Sequence, residues 1–146
     1  MAQLRRAEKR YKLATGDYGR LAGFRFALRK FLRFSEDAAA VVGLTGQHYQ
    51  AMLVLRACPE GTRLTIADLA QQLLIKHNSG VELVDRLAGL DLVAREPSLS
   101  DGRKVELRLT ARGRSVLAKL AATHRAELQR IGPELERFFA DLSGPA

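Results

Sequence analysis

The sequence predicts a mainly α protein with a small β-wing: a winged helix-turn-helix flanked by N- and C-terminal dimerisation helices. Three observations predict it. Residues 65–113, TIADLAQQLLIKHNSGVELVDRLAGLDLVAREPSLSDGRKVELRLTARG, read as a helix, a tight turn, a second helix and a two-stranded hairpin. Helical periodicity precedes that block over 18–40 and follows it over 111–142. The net charge of +8 lies wholly in residues 1–33, which hold ten basic and two acidic residues, while 34–146 balance to zero.

The elements follow from local spacing. Over 18–40, Leu21, Phe24, Leu28, Phe31 and Leu32 recur at three-to-four intervals, with Arg29, Lys30 and Arg33 off that stripe, and Gly43 closes the segment. Thr45 is placed to cap a helix over 46–57, which Cys58-Pro59-Glu60-Gly61 ends. Thr65 with Asp68 has the form of a capping box, and Ile66, Leu69, Ala70 and Leu73 make the stripe of the short helix that follows. The next helix, about 77–90, carries Gly80, Leu83, Val84 and Leu87 on one side and Asn78, Glu82 and Asp85 on the other. A turn so short cannot hold two helices parallel, which fits a helix-turn-helix crossing.

Leu92-Val93-Ala94 opens the first wing strand. Pro97, Ser98, Ser100, Asp101 and Gly102 make the loop, and 104–109 alternates polar and apolar residues as a half-buried strand. Thr110 can cap the last helical region. There Leu117, Ala121, His124, Leu128, Ile131, Leu135, Phe138 and Leu142 form a heptad-like seam. Gly132-Pro133 predicts two helices, the second starting at Pro133. The seam exceeds what one winged module needs to bury, so a dimer interface is expected, built from both ends of the chain. The organisation expected is a basic arm over 1–17, a dimerisation region over 18–43 and 111–146, and a winged DNA-binding domain over 44–110.

At 146 residues and 47% apolar composition, a folded core is expected. One cysteine, Cys58, permits no intrachain disulfide. The N-terminus has no apolar signal core, and no apolar stretch approaches bilayer length, so a cytoplasmic protein is expected. The basic arm suggests a polyanion partner, the alternative for residues 1–12 being an unordered solubilising tail. His48, His77 and His124 are too scattered for a local metal motif, and no phosphate-cradling loop is present. No catalytic residue, cofactor or metal is expected, and Cys58 reads as inert.

The run LVDRLAGLDLVARE (83–96) followed by DGRKVELRLTARG (101–113) resembles the MarR family of bacterial transcription regulators, in which an Asp-x-Arg wing tip precedes a strand ending Leu-Thr-x-x-Gly. The likeness covers roughly 18–142. It implies a homodimer on a pseudo-palindromic operator, with the fourth helix in the major groove and Arg103 in the adjacent minor groove. It also implies a repressor relieved by a small aromatic or acidic ligand or by cysteine oxidation. Leu74, Lys76, Gly80 and Glu82 depart from the family pattern at the turn, the cap and the recognition helix.

The expected DNA-binding set is Lys76, His77, Asn78, Ser79, Glu82 and Arg86 on that helix, with Arg103, Lys104 and Arg108 on the wing. Asn reads adenine through two hydrogen bonds and Glu accepts from cytosine, whereas wing cations suit phosphates or a narrow minor groove. Asp101 and Gly102 are expected to shape the wing, Asp101 by accepting loop amides or by pairing with an Arg such as Arg86. Arg25, Arg29 and Arg33 with His48 and Tyr49 are a candidate site for an aromatic carboxylate. The alternative is a winged module that docks a protein through its exposed helix and basic arm, favoured by Gly80 and Glu82 and disfavoured by the basic wing.

Overall fold

The computed structural model describes residues 1–142. Positions 143–146 of the expected dimerisation region lie outside the described residues. The helices are α1 (Ala2–Arg10), α2 (Thr15–Ala40), α3 (Gly46–Ala57), α4 (Ile66–Leu73), α5 (His77–Gly89) and α6 (Ala111–Leu142). The strands are β1 (Val93–Pro97) and β2 (Val105–Leu109). Two compact units divide the chain, one of residues 1–34 with 126–146 and one of residues 35–125.

The unit 35–125 is the winged helix. Its core joins Leu44, Met52, Leu69, Val84, Leu87, Val93, Leu107, Leu109, Leu117 and Leu120, all buried. The expected inner faces of α4 and α5 are therefore the ones buried. Local chemistry starts each helix. Thr45 Oγ1 accepts from the His48 amide at 3.3 Å, and His48 Nδ1 accepts from the Thr45 amide at 3.0 Å, so a histidine fills the place usual for Glu or Gln. The Thr65–Asp68 box is reciprocal, at 3.2 and 3.0 Å.

Leu74 closes α4 in the left-handed region (φ 56°) with its side chain exposed, a conformation costing a leucine about 1–2 kcal/mol. Lys76 sits at the N-cap of α5 without a capping hydrogen bond. Gly80 has a steric reason that its helix propensity conceals. A Cβ there would stand 3.1 Å from Ala70 Cβ and 3.3 Å from Ile66 Cγ2, so its absence lets α5 cross close over α4.

In the wing, β1 and β2 pair antiparallel with Val93 opposite Leu109 and Pro97 opposite Val105. Pro97, expected in the loop, is the last residue of β1, a strand end being where a missing N–H is tolerated. The Leu107 amide also donates to Leu64 O at 2.8 Å, tying the α3–α4 connection to the free side of β2. Thr110 caps α6, accepting from the Gly113 amide at 2.9 Å. A Cβ on Gly113 would lie 2.0 Å from Leu92 O, so the chain passes there only as glycine.

Two expectations are corrected in the long helices. Residues 111–142 form one helix, with Pro133 inside it, rather than two. A proline excludes its predecessor from helical geometry mainly by crowding that residue's Cβ and amide, and Gly132 has no Cβ to crowd. On α2, Leu21, Leu28 and Leu32 are exposed, whereas Ala27 and Ser35 are buried and Phe24 and Phe31 half-buried. The buried line is thus shifted round the helix from the predicted stripe. In the unit of 1–34 and 126–146, Phe24 packs edge-on to Phe138 and Phe139 at 6.1 and 5.5 Å. Arg20 bridges Asp17 at 3.2 Å and Asp141 at 3.5 Å. Residues 2–10 are helical rather than an unordered tail, with no residue buried.

Candidate nucleic-acid interface

The helix-turn-helix buries Gly80, Leu83, Val84 and Leu87 of α5 and thereby turns Lys76, His77, Asn78, Ser79, Glu82 and Arg86 outward, all six exposed. The face is continuous because 76, 79, 82 and 86 repeat at three-to-four spacing and 77 and 78 lie in the first turn. Its amides at 77–79 belong to a helix start with no acidic residue in the first turn. That leaves the positive end of the dipole uncompensated by the chain's own carboxylates.

The wing loop is held from within. The Ser98 amide donates to Lys104 O at 2.9 Å and the Lys104 amide to Asp101 O at 3.0 Å. Asp101 Oδ1 accepts from the Arg103 amide at 3.1 Å, the first of the two roles expected for it. The other role does not form: no ion pair joins Asp101 to Arg86 among the described residues. Gly102, beside it, stands with open space around its Cα.

Arg103 and Lys104 are exposed, and neither forms an ion pair among the described residues. Arg95 pairs with Asp85 of α5, and Glu96 of β1 binds Arg108 of β2 at 2.7 Å and also Arg63. The wing's basic character is therefore concentrated at 103 and 104, with Arg95 and Arg108 bound to carboxylates. Arg108, and after it Arg63, hold the Glu96 carboxyl below the usual carboxylate range. Amide and hydroxyl donation from Thr65 does the same for Asp68.

The candidate ligand residues separate by unit. Arg25, Arg29 and Arg33 are exposed on α2. His48 is half-buried in the Thr45 box, and burial followed by the nearby Arg86 charge lowers its pKa. Tyr49 is buried and stacked on the His124 ring at 3.9 Å between centroids. The sequence reading placed His124 in an apolar seam and missed its polar role. Its Nε2 lies 2.8 Å from Ser35 Oγ and its Nδ1 2.7 Å from Leu120 O, so Nδ1 donates to that carbonyl. A histidine at a seam position is itself the signal, since a buried imidazole needs partners for both nitrogens. Cys58 is half-buried.

A buried-core α4–α5 crossing with an outward polar helix and a basic hairpin defines a winged helix-turn-helix. The MarR family's sequence model matches residues 42–104. No curated protein sequence matches the chain. Among solved structures, the transcriptional regulator PA4135 is similar at 27% identity and TM-score 0.66, covering 84% of this chain and 86% of its own. RV1404 of Mycobacterium tuberculosis is similar at 26% identity and TM-score 0.65, covering 78% and 77%. A MepR mutant of S. aureus bound to an oligodeoxyribonucleotide shares the fold at 19% identity and TM-score 0.64, covering 82% and 90%. Residues 42–104 are thus similar to the MarR family, and the chain shares the winged helix-turn-helix fold of these structures, the first of them a transcriptional regulator.

Proposed function

We propose that this protein is a DNA-binding repressor that acts as a homodimer on a pseudo-palindromic operator and is released by a small aromatic or acidic ligand. In this reading 44–110 is the DNA-binding domain, and 18–43 with 111–146 pair the two subunits. The carrying observation is the outward face of α5, whose polar side chains are exposed from Lys76 to Arg86 beside a wing tip with two cations, Arg103 and Lys104, that form no salt bridge among the described residues. The oligonucleotide bound to the MepR mutant supports the same partner for this chain.

Each feature takes a role by its chemistry. Asn78 and Ser79 read base edges in the major groove, with His77 and Glu82 beside them and Glu82 accepting from a cytosine amine. Lys76 and Arg86 flank that face. Arg103 enters the neighbouring minor groove, and Lys104 meets phosphate. Arg108 contributes field more than contact, its guanidinium being held by Glu96.

The test is a salt-dependent titration of the DNA flanking the protein's own gene against a scrambled duplex of equal length. Binding at least about a thousandfold tighter to the flanking DNA is expected. Arg103→Ala is expected to weaken that binding about tenfold or more, the discrimination a well-placed groove contact supplies, while subunit association is unchanged. Equal affinity for both duplexes would overturn the reading and favour a protein-docking module.

A further inference from the structure

An arginine-rich cavity lies outside the DNA-reading face. Between the end of α3, the α3–α4 connection, β2 and the start of α6 runs a cleft of about 420 Å³. Four arginines line it, Arg56, Arg63, Arg108 and Arg114, and Leu55, Leu107 and Leu109 contribute apolar wall. No residue of α5 or of the wing tip takes part.

The charge balance of this cleft is uneven. Glu60 lines it, and Glu96 reaches Arg63 and Arg108. Four guanidiniums thus face two carboxylates, leaving two positive charges in excess. Among the described residues Arg56 and Arg114 form no ion pair. Arg114 stands in the first turn of α6, which carries no acidic residue, so a helix dipole adds to the same sign. Bringing cations together in a partly apolar cavity raises the local potential, and an anion relieves it.

Guanidiniums recognise carboxylate and phosphate by paired hydrogen bonds, and the leucine wall suits a hydrocarbon body. The volume lies in the range of sites for small organic molecules. We propose that this cleft is the effector site, taking a small organic dianion whose charged groups engage Arg56 and Arg114 and compete with Glu96 for Arg63 and Arg108. The inference rests on the ligand-responsive reading above and gives that ligand a place and a charge. It also supplies a route to the wing. Glu96 belongs to β1, Arg108 to β2 and Arg63 to the connection before α4, so exchanging Glu96 for a ligand undoes the side-chain tie among the three.

The test is calorimetric titration of the full chain, without DNA, using phthalate as an aromatic dianion, benzoate as its singly charged counterpart and inorganic phosphate as an anion without an apolar body. Phthalate is expected to bind with a Kd of about 1 mM or tighter, and benzoate and phosphate about tenfold more weakly. Arg56→Gln and Arg114→Gln are each expected to weaken phthalate about tenfold, and Glu96→Gln to tighten it by removing the internal competitor. Cys58, which lines the cleft, is expected to be alkylated more slowly by N-ethylmaleimide when phthalate is bound.

Absence of saturable phthalate binding up to about 20 mM, weaker than any site of this design, would overturn the proposal. So would binding indifferent to both arginine variants, or phosphate binding as tightly as phthalate. Because these titrations contain no DNA, failure of operator recognition would leave their outcome standing, and failure of phthalate to bind would leave the DNA reading untouched.

Discussion

At the scale of single residues, sterics and caps set the sharpest limits. Gly113 lies where a Cβ would be 2.0 Å from Leu92 O, and that carbonyl is itself fixed by the Thr110 amide at 3.1 Å. Neither side can yield without opening the junction of wing and α6. Gly113→Ala is expected to cost about 3 kcal/mol or more, read as a lowered urea midpoint; a loss below about 1 kcal/mol would show that the junction adjusts. His48 sets a pH dependence of definite sign. Its Nδ1 must be unprotonated to accept the Thr45 amide, and its folded pKa lies below the ordinary histidine value because burial, then Arg86, disfavours the imidazolium. The unfolded chain therefore binds the proton more readily. The box's contribution is full above the unfolded pKa and is lost as pH falls through the folded one. Thermal midpoints at about pH 7 and about pH 5 are expected to differ less in His48→Ala than in the parent chain. Equal differences would exclude His48 as the titrating group.

At the scale of elements, the short segments were legible because their signals are local. Thr45, Thr65 and Thr110 mark helix starts by side-chain chemistry that acts over three residues, and all three cap as their positions imply. Gly132-Pro133 misled for the same reason: a proline signals a break locally, but its missing amide costs the helix one bond while the turns on either side keep theirs. Within the unit of 1–34 and 126–146, the aromatic packing of Phe138 and Phe139 on Phe24 favours continuation. Pro133→Ala is expected to restore one backbone hydrogen bond and raise stability by about 1–3 kcal/mol, measured by thermal melting. A drop in stability would mean that the fixed backbone angle of Pro133 is itself used. The wing shows the corresponding limit for charges. Alternation places Arg108 on the wet face, yet only pairing of β1 with β2 brings it to Glu96, twelve residues away.

At the scale of the whole molecule, exposed apolar side chains support the homodimer proposed above. Leu21, Leu28 and Leu32 on α2 are 46%, 38% and 53% exposed, and Leu128 on α6 is 45% exposed. Phe139 and Leu142 of the same unit are also exposed, and apolar side chains left in water in such number are a feature of interaction surfaces. In the proposed homodimer these side chains meet their counterparts in a second copy. Leu28→Glu with Leu32→Glu is expected to convert a sedimenting dimer into monomers and to weaken operator binding, while the wing and its melting transition persist. A parent chain that sediments as a monomer at micromolar concentration would end the dimer proposal. No helix among the described residues is long and apolar enough to cross a membrane.

Spacing, capping and turn chemistry were enough to order the elements, to choose the buried side of α4 and α5, and to nominate Arg103 and the outward residues of α5. Each of those depends on residues within about one or two helical turns of one another. Tertiary packing decided the rest. It chose the Phe24–Ala27–Ser35 side of α2 over the leucine stripe, gave His124 its partner Ser35, and explained Gly80 and Gly113 as close approaches. It also assigned Arg108 to Glu96 and gathered Arg56, Arg63, Arg108 and Arg114 round one cleft. Residues so far apart in the chain share no local signal. Their meeting is fixed by how the helices cross and how the wing pairs, and only the folded arrangement carries that information.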